Sequence, residues 1–517
     1  MSLNSSSSSG LGAFRRTTLV IALGLCAASL PILAHATDDK ALQAQLQSLA
    51  ERLQKLEQRN IELERLMKDQ QAKEQATLKI TPASTAANPD TARLERLESQ
   101  STALQQRVND LAPAAAAGDD EAPKFTATLL SVAQTANAAG SATGVRQSRL
   151  NYRGDITAQL NAGSFGDAKG TVFGQLRFGQ GTGVGLIPTH SSTPNSVGFE
   201  TSAGPDDSFA ILAQAYYQLE VPLGNAGFNS GTGNRLLFNV GKMDLFGLFD
   251  QNEVAADEGA KFINNVFVHN PLLDSGGDIA ADAYGFAPGL RIGYFSRSDA
   301  NLSYGASLGV FAAGNDKSLG NNTGANFSGD IKKPLIIAQF ELSPKQINGD
   351  SRGNYRFYAW SNGGTTGFAD PETGLSAQQR HTGVGVSIDQ KIGRDFNVFG
   401  RFGRRLSGDG AFDTALTGGV EIGGKAWGRN KDSLGLAYGI LRTSNAYREY
   451  TAANIAAGNA ASTFEATGNE RIAEIYYRIK MNDHLELTPN LQLIQRPGGD
   501  GAAASVRVFG LRGNVSF

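Results

Sequence analysis

From Lys124 to the C-terminus, apolar and polar positions alternate, and the last stretch shows it most plainly. Phe509, Leu511, Gly513, Val515 and Phe517 fall on one face, while Val508, Gly510, Arg512, Asn514 and Ser516 fall on the other. The same period of two sets Leu150, Tyr152, Ile156, Ala158 and Leu160 against Arg149, Asn151, Arg153, Asp155, Thr157 and Gln159. It recurs at Ala215, Tyr217, Leu219 and Val221 against Gln214, Tyr216, Gln218 and Glu220. A further run sets Ile475, Tyr477 and Ile479 against Glu474, Tyr476, Arg478 and Lys480. Successive side chains of a strand point to opposite faces, so each stretch predicts a strand whose two faces meet different surroundings.

A soluble sandwich also alternates, with its apolar face turned to a core. Three features favour a closed barrel in lipid instead. The polar faces carry charges well inside the strands, as a water-filled lumen allows. Sixteen strand-like segments lie between Lys124 and Phe517, an even number, as single-chain outer-membrane barrels have. The connections also alternate in length. With the first strand rising from the periplasm, outer connections of about 28 residues follow Gln180, about 41 follow Met243, about 18 follow Ala313 and about 28 follow Arg442. Most inner ones are short, such as Asn482 to His484. The expected fold class is therefore all-β, a 16-stranded antiparallel transmembrane barrel over residues 124–517. Closure also leaves no unpaired backbone edge in a medium that cannot hydrogen-bond it.

Before Lys124 the period changes. Residues 1–36 read as a secretory signal, with Arg15 and Arg16 as the positive flank, Leu19 to Leu33 as the apolar stretch and Ala34-His35-Ala36 as the cleavage site. From Leu42 the apolar steps alternate four and three through Leu46, Leu49, Leu53, Leu56, Leu63 and Met67, with Asn60 in the seam. The pattern resumes at Leu94, Leu97, Ser101, Leu104, Val108 and Leu111. Such a seam predicts a coiled coil over residues 37–112, in which helices bury together a stripe that one helix alone cannot. A helix packed on its own barrel is the alternative. Residues 113–123, Ala-rich with Pro113 and Pro123, form a linker. The expected organisation is thus a cleaved leader, a periplasmic stalk that makes a homotrimer, and the barrel.

Composition narrows the function. The 47 Lys and Arg against 49 Asp and Glu leave a net charge of −2, so nothing argues for nucleic acid as a partner. The single Cys, Cys26, lies in the leader, which removes thiol chemistry and disulfides from the mature chain. Five scattered His and the absence of a calcium-loop spacing give no metal site, and no cofactor is expected. A hydrolase on the barrel needs an activated nucleophile, and His269, His381 and His484 have no evident Ser or acid constellation around them.

The connection from Asp244 to Tyr284 is the third outer one, and by analogy with sixteen-stranded porins it is the candidate constriction. Asp244, Asp250, Glu253, Asp257, Glu258, Asp274, Asp278 and Asp282 stand there against Lys261 alone. Assignable lumen positions lean basic: Arg149, Arg153, Arg177, Arg291, Arg297, Arg356, Arg401, Arg405, Arg478, Lys480 and Arg512, against Asp155, Glu220, Glu474 and Glu486. Acid on the loop and base on the wall predict a transverse field that selects small solutes by charge and width. Asp250, Glu253, Asp257, Glu258, Lys261, Arg291 and Arg297 are the candidate constriction residues. Inward aromatics, notably Tyr216, Tyr358, Trp360 and Tyr476, either offer ring faces to sugars or fill space against the wall.

Two blocks carry a family resemblance. Gly241-Lys242-Met243-Asp244, Phe249-Asp250-Gln251-Asn252, Phe262-Ile263-Asn264 and Asn270-Pro271 form the first. Glu474-Ile475-Tyr476-Tyr477, Leu487-Thr488-Pro489-Asn490-Leu491-Gln492, Arg496-Pro497-Gly498 and Phe509-Gly510-Leu511-Arg512 form the second. Together they resemble the carbohydrate-selective porin (OprB) family, here with an added N-terminal coiled coil. The resemblance implies an outer-membrane porin of a Gram-negative bacterium that passes glucose and related small sugars passively, not an enzyme. An anion-preferring or general diffusion porin is the alternative reading of the basic lumen. The terminal Phe517 resembles the aromatic recognised by the outer-membrane assembly machinery, with lipid and that machinery as further partners.

Overall fold

The computed structural model describes residues 122–140, 144–190, 194–199, 208–224, 233–273, 285–296, 302–313, 330–344, 353–459 and 463–517. The leader, the heptad segment and all of the linker but residues 122 and 123 lie outside them. Sixteen strands follow one another. The first six are β1 Lys124–Ala136, β2 Gln147–Phe165, β3 Ala168–Gln180, β4 Phe209–Leu223, β5 Asn234–Asp244 and β6 Phe286–Ser296. Next come β7 Leu302–Ala313, β8 Asp330–Pro344, β9 Gly353–Ala369, β10 Ser376–Ile392 and β11 Phe396–Ser407. The last are β12 Phe412–Gly423, β13 Ser433–Thr443, β14 Glu470–Lys480, β15 Leu485–Gln495 and β16 Val506–Ser516.

Every neighbour pair is antiparallel, and β1 pairs with β16, so the sheet closes on itself, as the alternation and the even count predict. At the seam Leu129 faces Val515 across the ladder, and the Phe517 N–H and C=O bond Ala127 at 2.9 and 3.0 Å. Each backbone group on the seam is thereby paired. The connections at one end are short, such as 393–395 between β10 and β11. At the other they are long, with 181–208, 245–285 and 444–469 the longest among them. No helix among the described residues is long and apolar enough to cross a membrane, and the crossing elements are strands.

The outward face is apolar, as the alternation requires: Leu150, Ile156, Leu290, Leu416, Tyr438, Phe509 and Leu511 are all exposed. The inward face is less polar than the largely polar lumen expected. On β2–β6 it is polar, but on β8–β16 much of it is apolar, with Leu335, Ile337, Trp360, Phe399, Leu441, Ile472, Ile494, Val506 and Val508 all buried. The reason is the third long connection. It folds into the barrel and lays Phe249, Phe262, Val266, Phe267, Leu272 and Leu273 on that wall as one continuous core. At about 1.5–3 kcal/mol for each large side chain taken from water, this core outweighs any single polar contact of the loop.

Candidate functional site: the pore constriction

The third connection, residues 245–285, is pinned to the wall by buried polar anchors around its apolar core. Asp250 is fully buried and left-handed, with φ 52°, a conformation that Asp tolerates better than most residues. One carboxylate oxygen accepts the Tyr358 hydroxyl at 2.8 Å and Arg401 Nε at 3.2 Å, and the other accepts the Asn270 N–H at 2.6 Å. Arg401 also donates to the carbonyls of Phe267 and Asp250. Farther round, both oxygens of Glu474 on β14 accept loop N–H groups, of Ile263 and Asn264, each at 2.9 Å. Asn264 Nδ2 donates to Gln492, and its Oδ1 caps the short helix α1, Asn265–Val268. Such buried polar groups cost free energy unless every one is bonded, so the anchors fix one loop position.

These anchors revise several expectations. Asp250, Arg401, Trp360 and Tyr476 point inward but lie beneath the loop, buried, and do not line the passage. Glycine makes room for two such aromatics: a Cβ on Gly385 or Gly435 would stand 2.3 or 2.1 Å from the rings of Tyr358 and Tyr476. Arg512 is buried too, and holds the loop through the Glu258 carbonyl at 2.7 Å. Lys261 turns to Glu421 on β12 at 3.1 Å and to the Glu253 carbonyl. Arg356 is buried against Asp389 at 2.7 Å, and Arg478 reaches Ser433 and, at 3.9 Å, Glu486. Arg149 is exposed at the outer end of β2. Arg297, Asp274, Asp278 and Asp282 lie outside the described residues.

The polar wall of β2–β6 and the loop's own edge carry the remaining charges, with Arg153, Asp155, Gln175, Asn239 and Arg291 buried and Arg177, Gln214, Gln218, Tyr216, Phe173 and Glu258 half-buried. Here Arg153 bonds Glu258 of the loop at 2.8 Å and Asp155 at 3.3 Å, and Arg177 bonds Asp155 at 2.7 Å. From Asp155 a belt of amides runs along the wall. Gln175 donates to Asp155 at 2.7 Å, and Gln214 donates to Gln175 at 2.6 Å. Asn239 donates to Gln218 at 3.0 Å, and Arg291 bonds Asn239 and Ser307. The Arg291 guanidinium stacks over Phe295 at 5.0 Å and nears Phe249 of the loop at 6.0 Å. Phe173 and Tyr216 stack inside this belt, 5.0 Å apart. Glu253 and Asp257 are exposed on the loop edge, where Asp257 caps the N–H groups of Gly259 and Ala260. The broad transverse field expected of acid facing base is thus reduced to local pairs.

Glu258 is the loop carboxylate whose protonation matters to this cluster. Burial alone raises its pKa, but Arg153, Arg177 and His269 reverse that and hold it at about 2. A lowered carboxylate contributes its full stabilisation above the unfolded value, near 4.3, and loses it progressively as pH falls from there through about 2. Glu258 keeps its charge across ordinary acidity.

The second long connection also folds inward, which the alternation did not reveal. Val184, Val197 and Phe199 are buried, the Ser196 N–H bonds the Ile263 carbonyl of the third connection at 2.8 Å, and Gln134 and Gln492 both donate to the Pro194 carbonyl. At its far end the His190 N–H meets the fully buried Glu470 at 2.6 Å, and Glu470 also accepts the Gly498 N–H. Burial lowers the His190 pKa to about 3. The unfolded chain therefore binds a proton between pH 6.5 and 3 that the folded one refuses, and stability falls as pH drops through that window. Hydrogen-exchange protection factors of residues 182–190, with the pH dependence of the intrinsic rate divided out, should fall between pH 6.5 and 4 in the wild type and stay level in His190→Gln.

A closed sixteen-strand barrel whose third long connection is packed inside the lumen defines the class: a porin, a channel protein. The chain belongs to the carbohydrate-selective porin, OprB family, whose sequence profile matches residues 42–517. That range includes the heptad segment. No curated protein sequence matches the chain. Among solved structures, OprB of Pseudomonas putida at high pH is 18% identical, with a TM-score of 0.61 over 77% of this chain and 95% of that one. An anion-selective porin from Comamonas acidovorans is 11% identical, with a TM-score of 0.44 over 77% and 99% of the two chains.

Proposed function

We propose that the chain carries small neutral sugars of the size of glucose passively through a Gram-negative outer membrane. The observation that supports this is the wall of β2–β6, where guanidinium and carboxylate alternate in bonded pairs and amides continue the row. Arg153, Asp155, Arg177 and Glu258 leave little net charge to attract an ion, while the half-buried Gln214 and Gln218, held by the buried Gln175 and Asn239, offer donors and acceptors that a hydroxyl-rich solute exchanges for water. The stacked Phe173 and Tyr216 add an aromatic face beside them for the C–H side of a pyranose. Weak, repeated contacts of this kind guide a solute without trapping it.

The deciding experiment is uptake into liposomes holding the purified protein, with glucose compared to an uncharged non-sugar of equal size. Saturable, faster glucose uptake is expected. Equal, unsaturable rates would leave a general diffusion pore, and a strong anion preference in a salt gradient would leave the anion reading. Tyr216→Ala should raise the half-saturating glucose concentration about two- to tenfold, without changing salt selectivity.

The reading of the rest of the chain follows the sequence. Residues 1–36 act as a cleaved leader, 37–112 as a periplasmic coiled coil that holds a trimer, 113–123 as a linker and 124–517 as the porin domain. Phe517, outward and stacked on His484 at 5.3 Å, is the signal to the assembly machinery. Deleting residues 38–123 should lower the oligomer mass while leaving uptake per barrel intact. Removing Phe517 should lower the folded yield in the membrane.

A further inference from the structure

On its outward face the sheet is notched at β12–β15. Ala473 stands between Tyr438 on β13 and Leu493 on β15, its register partners, and Gly418 on β12 lies opposite Tyr438. The next row toward the short turns is Leu436, Ile475 and Leu491. Small residues among large ones leave a groove of about 480 Å³. Leu436, Tyr438, Ile475 and Leu491, on its walls, are exposed on the face that meets hydrocarbon. A groove whose open side is the bilayer itself is filled by a hydrocarbon chain.

One row nearer the short turns, roughly 7 Å along the strands, Leu434 pairs with Tyr477. The Tyr477 hydroxyl accepts from Trp427 Nε1 and donates to Asp432, each at 2.9 Å. An indole and a phenol fixed in this way mark the level of the headgroups. The turn that carries Trp427, residues 424–432, is basic there. Arg429 is held by Asp432 at 2.7 Å, and Lys431 makes only an exposed pair with Asp483 at 3.2 Å. Lys425 makes no ion pair among the described residues. A second copy of this chain seated on the groove would have to cover these lysines, whereas a lipid phosphate would neutralise them.

We propose that this groove and turn together bind one anionic glycerophospholipid, with an acyl chain lying over Ala473 and the phosphate against Lys425 and Lys431. The span from the turn to Ala473 suits a chain that reaches from headgroup level to mid-bilayer, about 15 Å. The site rests on the barrel lying in a membrane but not on which solute passes through it.

The test is lipid retention. Protein is reconstituted in phosphatidylethanolamine nanodiscs with a minor fraction of phosphatidylglycerol, released into mild detergent and weighed by native mass spectrometry. The wild type should keep one phosphatidylglycerol per barrel in preference to phosphatidylethanolamine. Lys425→Ala and Lys431→Ala should each lower that retention about fivefold. Ala473→Leu, which fills the groove, should lower retention of both lipids. All three variants should keep wild-type sugar uptake and heat-modifiable migration, which separates failure of this site from failure of the pore reading. Equal retention of both lipids by the wild type overturns the proposal. So does an unchanged pattern in the lysine and groove variants, or a groove closed by cross-linking to a second copy.

Discussion

Asp250→Ala should turn a steady channel into a noisy one with higher mean conductance and no sugar saturation. The substitution removes the acceptor for Tyr358, Asn270 and Arg401 at once and leaves the Arg401 guanidinium, 1% exposed as a side chain, without its counter-charge. Breaking one member of a buried ion pair costs about 3–5 kcal/mol, and here the cost falls on the loop, not on the ladder of the barrel. The wall strands stay paired while the constriction samples open positions. Single-channel recording reads the conductance and its noise, and limited proteolysis within residues 245–273 reads the loop directly. Replacing both members, Asp250→Asn with Arg401→Met, should recover part of the quiet state, because it removes the orphaned charge and keeps at φ 52° a residue that tolerates that conformation and can still accept from Tyr358 or Asn270. A quiet, sugar-saturable Asp250→Ala channel would show that the apolar core alone holds the loop.

Arg153→Gln should make the pore prefer cations. Its guanidinium lies between Asp155 and Glu258 at 3.3 and 2.8 Å, and without it Arg177 alone balances two carboxylates. A unit charge about 4 Å from a permeating ion in water is worth about 1 kcal/mol, so the cation-to-anion permeability ratio should rise about fivefold. The pH dependence gives the sign a second check. In the wild type Glu258 is held at about 2, and selectivity stays flat from pH 7 to 4. With Arg153 gone, the largest attraction that lowered that value is gone, and burial remains to raise it. The new cation preference should fade as pH falls through the ordinary carboxylate range. A reversal potential unchanged by the substitution would place the selective step elsewhere.

The strands were legible because each obeys one rule along its whole length. Leu150, Ile156, Leu160, Phe509, Leu511 and Phe517 fall on the apolar outward face, and the even count with long connections at one end turned that alternation into a barrel and not a sandwich. The inward faces obey two rules, and only one was visible. Arg153, Asp155 and Gln214 read as lumen because they are polar. Ile472, Ile494, Val506 and Val508 are inward and apolar, and they make sense only once the loop carrying Phe262 and Phe267 is known to lie on them. For the same reason Asp250 looked like a pore charge. Its burial depends on Tyr358, Asn270 and Arg401, which are 108, 20 and 151 positions away in the chain. The amide belt was half legible: Gln214 and Gln218 stood on the polar face, but their links to Gln175 and Asn239 depend on neighbouring strands. The inward fold of residues 182–190 and 194–199 carried no periodic signal, since Pro194, Val197 and Phe199 sit in irregular backbone.

The apolar inner wall sets a limit on how this channel can be reshaped. Cutting out the third connection would not yield a simple wider tube of water, because it would bare apolar patches from Leu335 round to Val508, with Arg401, Glu421, Glu474 and Gln492 between them stripped of their loop partners. Water and ions leave apolar patches of this kind readily, as they do in hydrophobic gates. A loop-deleted barrel would therefore conduct intermittently and take up detergent or free acyl chains along those patches. Enlarging the pore while keeping it wet means trimming the loop edge at Glu253 and Asp257 and leaving its buried side alone.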